Sequence, residues 1–93
     1  VFYMIDALAQ AGVAQGLSPE LAMQLAKATV AGAGALAQAA DETPTQLRIN
    51  VTSPNGTTQA GLEVLMHDTS GLTPLIDKTV AAAADRSREL ANG

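Results

Sequence analysis

The chain has no cysteine and no tryptophan, one histidine, and only two aromatic residues, Phe2 and Tyr3. Without cysteine there are no disulfides, no thiolate metal sites and no thiol nucleophile. His67 alone cannot build a histidine-rich metal centre, so no metal site is expected. Positive charge is also scarce: 5 Lys and Arg against 9 Asp and Glu give a net charge of −4. A phosphate backbone is gripped by Lys and Arg, so no nucleic-acid partner is expected. No run of about 18 apolar residues exists, which excludes a transmembrane helix, and no membrane partner is expected. No secretory signal pattern is visible. The sequence starts at Val1 and runs directly into a helical pattern, which reads as a truncation or as a missing upstream segment.

What is present is small and apolar. Ninety-three residues make one small domain at most, and 47% of them are hydrophobic, so disorder is not expected. Much of that fraction is alanine. Small side chains gain little burial energy per residue, and such a domain would benefit from a partner chain.

The pattern along the chain is helical throughout. Residues 2 to 15 carry Phe2, Ile5, Leu8 or Ala9, Gly12 and Val13 at spacings of three and four, with Gly16 just past the helix end. Ser18-Pro19-Glu20 combines a capping hydroxyl, a proline at the first helical position and an acid at the positive end of the dipole. A second helix is expected from Pro19 to Ala39, with Leu21, Leu25, Ala28, Gly32, Ala35, Leu36 and Ala39 along one side. Its tract Ala31-Gly32-Ala33-Gly34-Ala35 marks either a close helix crossing or a flexible break. Thr43-Pro44 opens a short helix from Pro44 to Asn50, and Val51 to Gly56 is a loop. A fourth helix is expected from Thr57 to Met66, with Gly61, Leu62 and Leu65 inward. After the polar stretch His67 to Gly71, Thr73-Pro74 repeats the cap-plus-proline signal. The last helix is then expected from Pro74 to Ala91, with Leu75 or Ile76, Thr79, Ala82 or Ala83, and Leu90 buried. Asp77 would lie in its first turn, with Arg86 and Arg88 near its end. Met4, Met23 and Met66 look like core filling. No strand pattern survives, so the fold class is all-α with about five helices.

One segment could carry chemistry: Val51-Thr52-Ser53-Pro54-Asn55-Gly56-Thr57-Thr58. Its hydroxyl groups cluster directly before a helix. First-turn amides have no intrahelical partner, and the dipole favours an anion there, so a carboxylate or phosphate would fit. Ser, Thr, Asn, Gly and Pro are equally the residues of an ordinary capped turn. No catalytic triad is plausible, and His67 reads as an exposed loop histidine. Asp41 and Glu42 read as solvated carboxylates at a helix end. Asn50-Val51-Thr52 and Asn55-Gly56-Thr57 match the glycosylation acceptor pattern, which is short and recurs by chance.

On these residues the sequence resembles the C-terminal domain of pyrroline-5-carboxylate reductase. The resemblance rests on Val1-Phe2-Tyr3 through Ala7-Leu8-Ala9, Ala11-Gly12-Val13 and Gly16-Leu17-Ser18. It continues in Val51 through Thr58 with Ala60-Gly61-Leu62 and Val64-Leu65, and ends in Arg86-Ser87-Arg88-Glu89-Leu90. It implies an interlocked helical homodimer, with dimers often assembling further, beside an N-terminal domain that binds NADPH or NADH. That domain and its Gly-rich fingerprint are missing here. The resemblance also implies that Ser53, Asn55, Gly56, Thr57 and Thr58 line the substrate site, with backbone groups around Gly56, Thr57 and Thr58, and Ser53, holding the carboxylate. Thr58 is the implied catalytic residue, its hydroxyl bonded to the ring nitrogen of the imine that becomes L-proline. A cytoplasmic location is expected from the family and from the lack of export features.

Two departures stand out. Asn55 replaces the first of two glycines usual in the family, although asparagine tolerates left-handed backbone geometry better than most residues. Met66 stands where a glutamate is usual, and the turn to Gly71 is about two residues longer, which bears on loop packing. Two other function classes fit parts of the sequence. The absent nucleotide-binding domain suits a free-standing helical assembly module without catalysis, and Asn55 suits a reductase of another cyclic imine.

Overall fold

A computed structural model describes residues 1–93. Five helices follow one another without a strand: α1 (Phe2–Ala14), α2 (Pro19–Ala39), α3 (Pro44–Asn50), α4 (Thr57–Leu65) and α5 (Leu72–Asn92). The all-α expectation holds, and the first four helices lie within one residue of their expected bounds. The residues divide into two compact units, Val1–Arg48 and Ile49–Gly93.

Local chemistry accounts for the helix ends of the first unit. Helix α1 stops in a Schellman turn: Leu17 N–H donates to Gly12 O at 3.1 Å and Gly16 N–H to Val13 O at 2.9 Å. Gly16 takes φ 107°, which a side chain would resist. Ser18 Oγ then accepts from Leu21 N–H at 3.2 Å, with Pro19 first in α2 and Glu20 in its first turn. Thr43 Oγ1 does the same for Gln46 N–H, also at 3.2 Å, and Pro44 opens α3.

Packing in this unit is concentrated between α1 and α2. Its buried side chains are Ala9, Ala22 and Ala26, with Ile5 and Met23 packed against them. The helices approach closely because Gly12 has no side chain. A Cβ there would lie 3.3 Å from both Ala22 Cβ and Leu17 Cδ1. On α1 the inward residue is therefore Ala9 rather than Leu8, and Phe2, Leu8 and Val13 are exposed. On α2 the face expected to be inward carries Leu21, Leu25 and Leu36, which are exposed, while Ala22 and Ala26 one position on are buried. Both faces are apolar, and the methyl face fits the narrow gap. Nothing lies within 4 Å of a Cβ built at Gly32 or Gly34, so within the first unit the tract makes no close helix crossing at these glycines. It is continuous helix, not a break.

In the second unit, α5 begins at Leu72, capped by Gly71, two residues before the expected start. A proline is accepted anywhere in the first turn, where its missing N–H has no intrahelical role, so Thr73-Pro74 does not mark the boundary. Asp77 consequently lies beyond the first turn, and no basic residue falls in the last. Arg86 and Arg88 instead form exposed i,i+3 pairs with Glu89 (2.9 Å) and Asp85 (2.8 Å). No residue of α4 or α5 is buried: Leu65, Leu75, Ile76 and Leu90 are all exposed, and Leu62 is half-buried. Met4 and Met66 are exposed as well, leaving only Met23 of the three methionines against the core.

The turn between α4 and α5 has its own construction. Gly71 is buried and its N–H donates to His67 O at 3.0 Å. His67 Nδ1 accepts from Thr69 N–H (3.3 Å) and Ser70 N–H (3.2 Å). A Cβ at Gly71 would collide with the carbonyl oxygens of both Leu65 and His67.

Gly71→Ala is therefore expected to destabilise the protein by about 3 kcal/mol, because the collision is with backbone that cannot step aside. Gly12→Val is expected to cost about 1–3 kcal/mol by forcing α1 and α2 apart. Urea unfolding at one fixed protein concentration reads both, and unchanged midpoints would contradict the two close approaches.

Candidate functional site

The loop ahead of α4 is a sequence of small turns. Thr52 N–H donates to Ile49 O at 3.1 Å, closing the end of α3. Gly56 N–H then donates to Ser53 O, also at 3.1 Å. Within that turn Pro54 holds the second position and Asn55 the third. Asn55 has φ 62° and is the sole non-glycine residue with positive φ. Proline followed by a left-handed residue is the type II arrangement, and asparagine is the residue after glycine best suited to it. Asparagine in this place thus supports a closed type II turn.

Gly56 plays a different part. Its φ of −87° and ψ of −177° are extended and open to any residue. Its bare α-carbon matters because a Cβ would meet Ser53 O at 3.3 Å and Ser53 Cβ at 3.4 Å. Glycine lets the turn fold back against Ser53, and places Gly56 as the cap of α4.

No side chain caps α4, and no acid occupies its first turn. The first amide engaged by the helix is that of Ala60, which donates to Gly56 O at 3.2 Å. The amides of Thr57, Thr58 and Gln59 are left pointing out of the helix start, where the dipole is positive. Ser53, Asn55, Thr57 and Thr58 are exposed around them, while Gly56 and Gln59 are half-buried. The loop therefore presents hydroxyl groups and unengaged amides together, a combination suited to a carboxylate or a phosphate.

Two points were not legible in advance. The Gly56 amide is consumed by Ser53 O, so the donors left for a ligand begin at Thr57. Gln59, at the third helical position, extends its Oε1 back to accept from Asn55 N–H. A glutamine three residues past a helix cap is the returning half of a capping box, and that spacing was the available signal. His67 is engaged within its own turn by Thr69 and Ser70. Asp41 and Glu42 are exposed, as expected.

The residues do not fit a dinucleotide. Gly32-Ala33-Gly34-Ala35-Leu36-Ala37 has the spacing of a dinucleotide fingerprint, but it lies inside α2 with no strand before it. Its amides belong to the helix and not to a phosphate-binding turn.

A protein-family model described as pyrroline-5-carboxylate reductase dimerisation matches residues 1–90. The chain belongs to this family. It is 46% identical over 90 residues to the pyrroline-5-carboxylate reductase of Pisum sativum, covering 97% of this chain and 32% of that protein. It is 44% identical to the Synechocystis enzyme, covering 97% and 33%. A crystal structure of Plasmodium falciparum pyrroline carboxylate reductase with NADP bound superposes with a TM-score of 0.87 at 32% identity, over 95% of this chain and 33% of that one. The chain thus spans about a third of the length of the curated relatives it matches.

Within this dimerisation domain, Asn55 makes a direct test of the turn. Asn55→Val is expected to lower stability by about 1–2 kcal/mol, since a β-branched residue resists positive φ. Asn55→Gly is expected to be neutral or stabilising. Thermal melts of the two variants should separate in that order, and the reverse order would contradict the turn.

Proposed function

We propose that this chain is the C-terminal dimerisation and substrate-binding domain, residues 1–93, of a reductase that converts 1-pyrroline-5-carboxylate to L-proline with NADPH or NADH. The observation that carries this beyond family membership is the loop before α4, where exposed hydroxyl-bearing residues flank amides that the helix leaves unengaged. The reduction needs an anion held, an imine nitrogen oriented, and a proton delivered to that nitrogen as hydride reaches carbon. NAD(P)H supplies the hydride when bound, by parts of the protein outside this chain.

This chain's own residues divide the remaining work. The amides of Thr57 and Thr58, with the Ser53 hydroxyl, hold the substrate carboxylate at the positive end of α4. Asn55 and Gly56 shape the turn that brings Ser53 beside those amides. The Thr58 hydroxyl bonds the ring nitrogen, fixing which face of the imine is presented and lying on the proton's path to nitrogen.

The assembly is a homodimer, with dimers able to build higher oligomers. Phe2, Leu21, Leu25 and Leu36 of the first unit, and Leu75, Ile76 and Val80 of the second, are exposed apolar side chains that a second copy would cover. The exposed Asn55 side chain favours one second reading, the reduction of another cyclic imine. No helix is long and apolar enough to cross a membrane; the proposed location is cytoplasmic.

In the full-length protein, Thr58→Ala is expected to lower kcat by about a hundredfold while leaving the dimer intact. Steady-state reduction of 1-pyrroline-5-carboxylate and of other cyclic imines, beside sedimentation velocity, reads both quantities. Unchanged turnover would remove Thr58 from its role. Turnover of a different imine alone would select the second reading, and turnover of none would leave an assembly module.

A further inference from the structure

We propose that Gln59 is a positioning residue for the substrate loop, locking Asn55 in its left-handed conformation and withholding the Asn55 amide from the ligand. The proposal rests on the substrate-site reading above. After Pro54, the turn from Ser53 to Gly56 offers two amides, those of Asn55 and Gly56. Both are taken internally: Gly56 N–H by Ser53 O and Asn55 N–H by Gln59 Oε1. A ligand therefore meets the amides of Thr57 and Thr58 first.

The two internal bonds differ in kind. The Ser53–Gly56 bond closes the turn on itself. The Asn55–Gln59 bond ties the turn to α4, because Gln59 is fixed within the first turn of that helix and is half-buried. An asparagine at φ 62° is not self-supporting, since an L-residue gains by returning to negative φ. That return, together with ψ of Pro54, would flip the peptide between Pro54 and Asn55 into the type I arrangement, turning its N–H away from Gln59 and changing the surface the loop presents beside the amides of α4. Glycine at position 55 would need no such lock, because positive φ costs it nothing. Asn55 and Gln59 thus act as a pair. The glutamine side chain makes asparagine workable in a turn that otherwise suits glycine.

The test is a double-substitution cycle in the full-length protein, with Gln59→Met, Asn55→Gly and the two combined. Methionine keeps the length and helix propensity of glutamine and removes the acceptor. With asparagine at position 55, Gln59→Met is expected to raise KM for 1-pyrroline-5-carboxylate about fivefold with kcat within about twofold. In the Asn55→Gly background the same change is expected to alter neither. Equal losses in both backgrounds, or a loss confined to kcat, would overturn the lock and leave Gln59 as ordinary helix packing. Hydrogen exchange at the Asn55 amide gives a second readout that does not depend on turnover. Gln59→Met is expected to speed that exchange about tenfold, and an unchanged rate overturns the proposal. If the unsubstituted protein fails to reduce 1-pyrroline-5-carboxylate, the functional reading fails by itself and the exchange rate still decides the lock.

Discussion

The separation between α1 and α2 governs the arrangement of the first unit. Gly12 allows the two helices so close that only methyl groups fit between them, and Ala9, Ala22 and Ala26 supply those methyls. Every larger apolar residue on the two helices is thereby kept out of the core or left at its margin. Close packing of small residues yields little transfer energy, so the pair is well fitted without being well buried. The exposed leucines are the complement of that choice, and they suit a chain of a dimerisation family.

The candidate site follows a similar economy of side chains. Glycine at 56 lets a turn double back on Ser53, and asparagine at 55 supplies the left-handed residue. Neither contributes a side chain to capping the helix, and α4 begins with its amides unclaimed. In most helices a serine, threonine or aspartate would occupy that place, as Ser18 and Thr43 do here for α2 and α3. Helices α1 and α5 also begin without a side-chain cap, so what sets α4 apart is the set of hydroxyl-bearing residues, Ser53, Thr57 and Thr58, next to its free amides.

Much of this was legible in the residues because much of it is local. Ser18-Pro19-Glu20 and Thr43-Pro44 act through neighbours two or three positions away, so the starts of α2 and α3 follow from sequence. The Schellman turn at Gly16 and the loop before α4 follow for the same reason. The choice between Ala22 and Leu21 as the inward face was not legible, since both lie on apolar stripes of one helix. What decides between them is the distance to another helix, which Gly12 sets from a different part of the chain. The start of α5 was misplaced because Pro74 is compatible with any position in a first turn. The determinant is Gly71, whose α-carbon lies against the carbonyls of Leu65 and His67. Gln59 had its signal in spacing, but the partner it reaches is one residue before the cap and not the cap itself.

Helix α5 is 21 residues long, with no buried residue and no side-chain cap. Its two ion pairs are exposed on both partners, where salt screens them and their worth is small. In proteins most helix stability comes from an apolar face packed on a neighbour rather than from propensity. A second copy laid along the exposed Leu75, Ile76 and Val80 would therefore stabilise α5 itself, and protein concentration would then bear on its helicity.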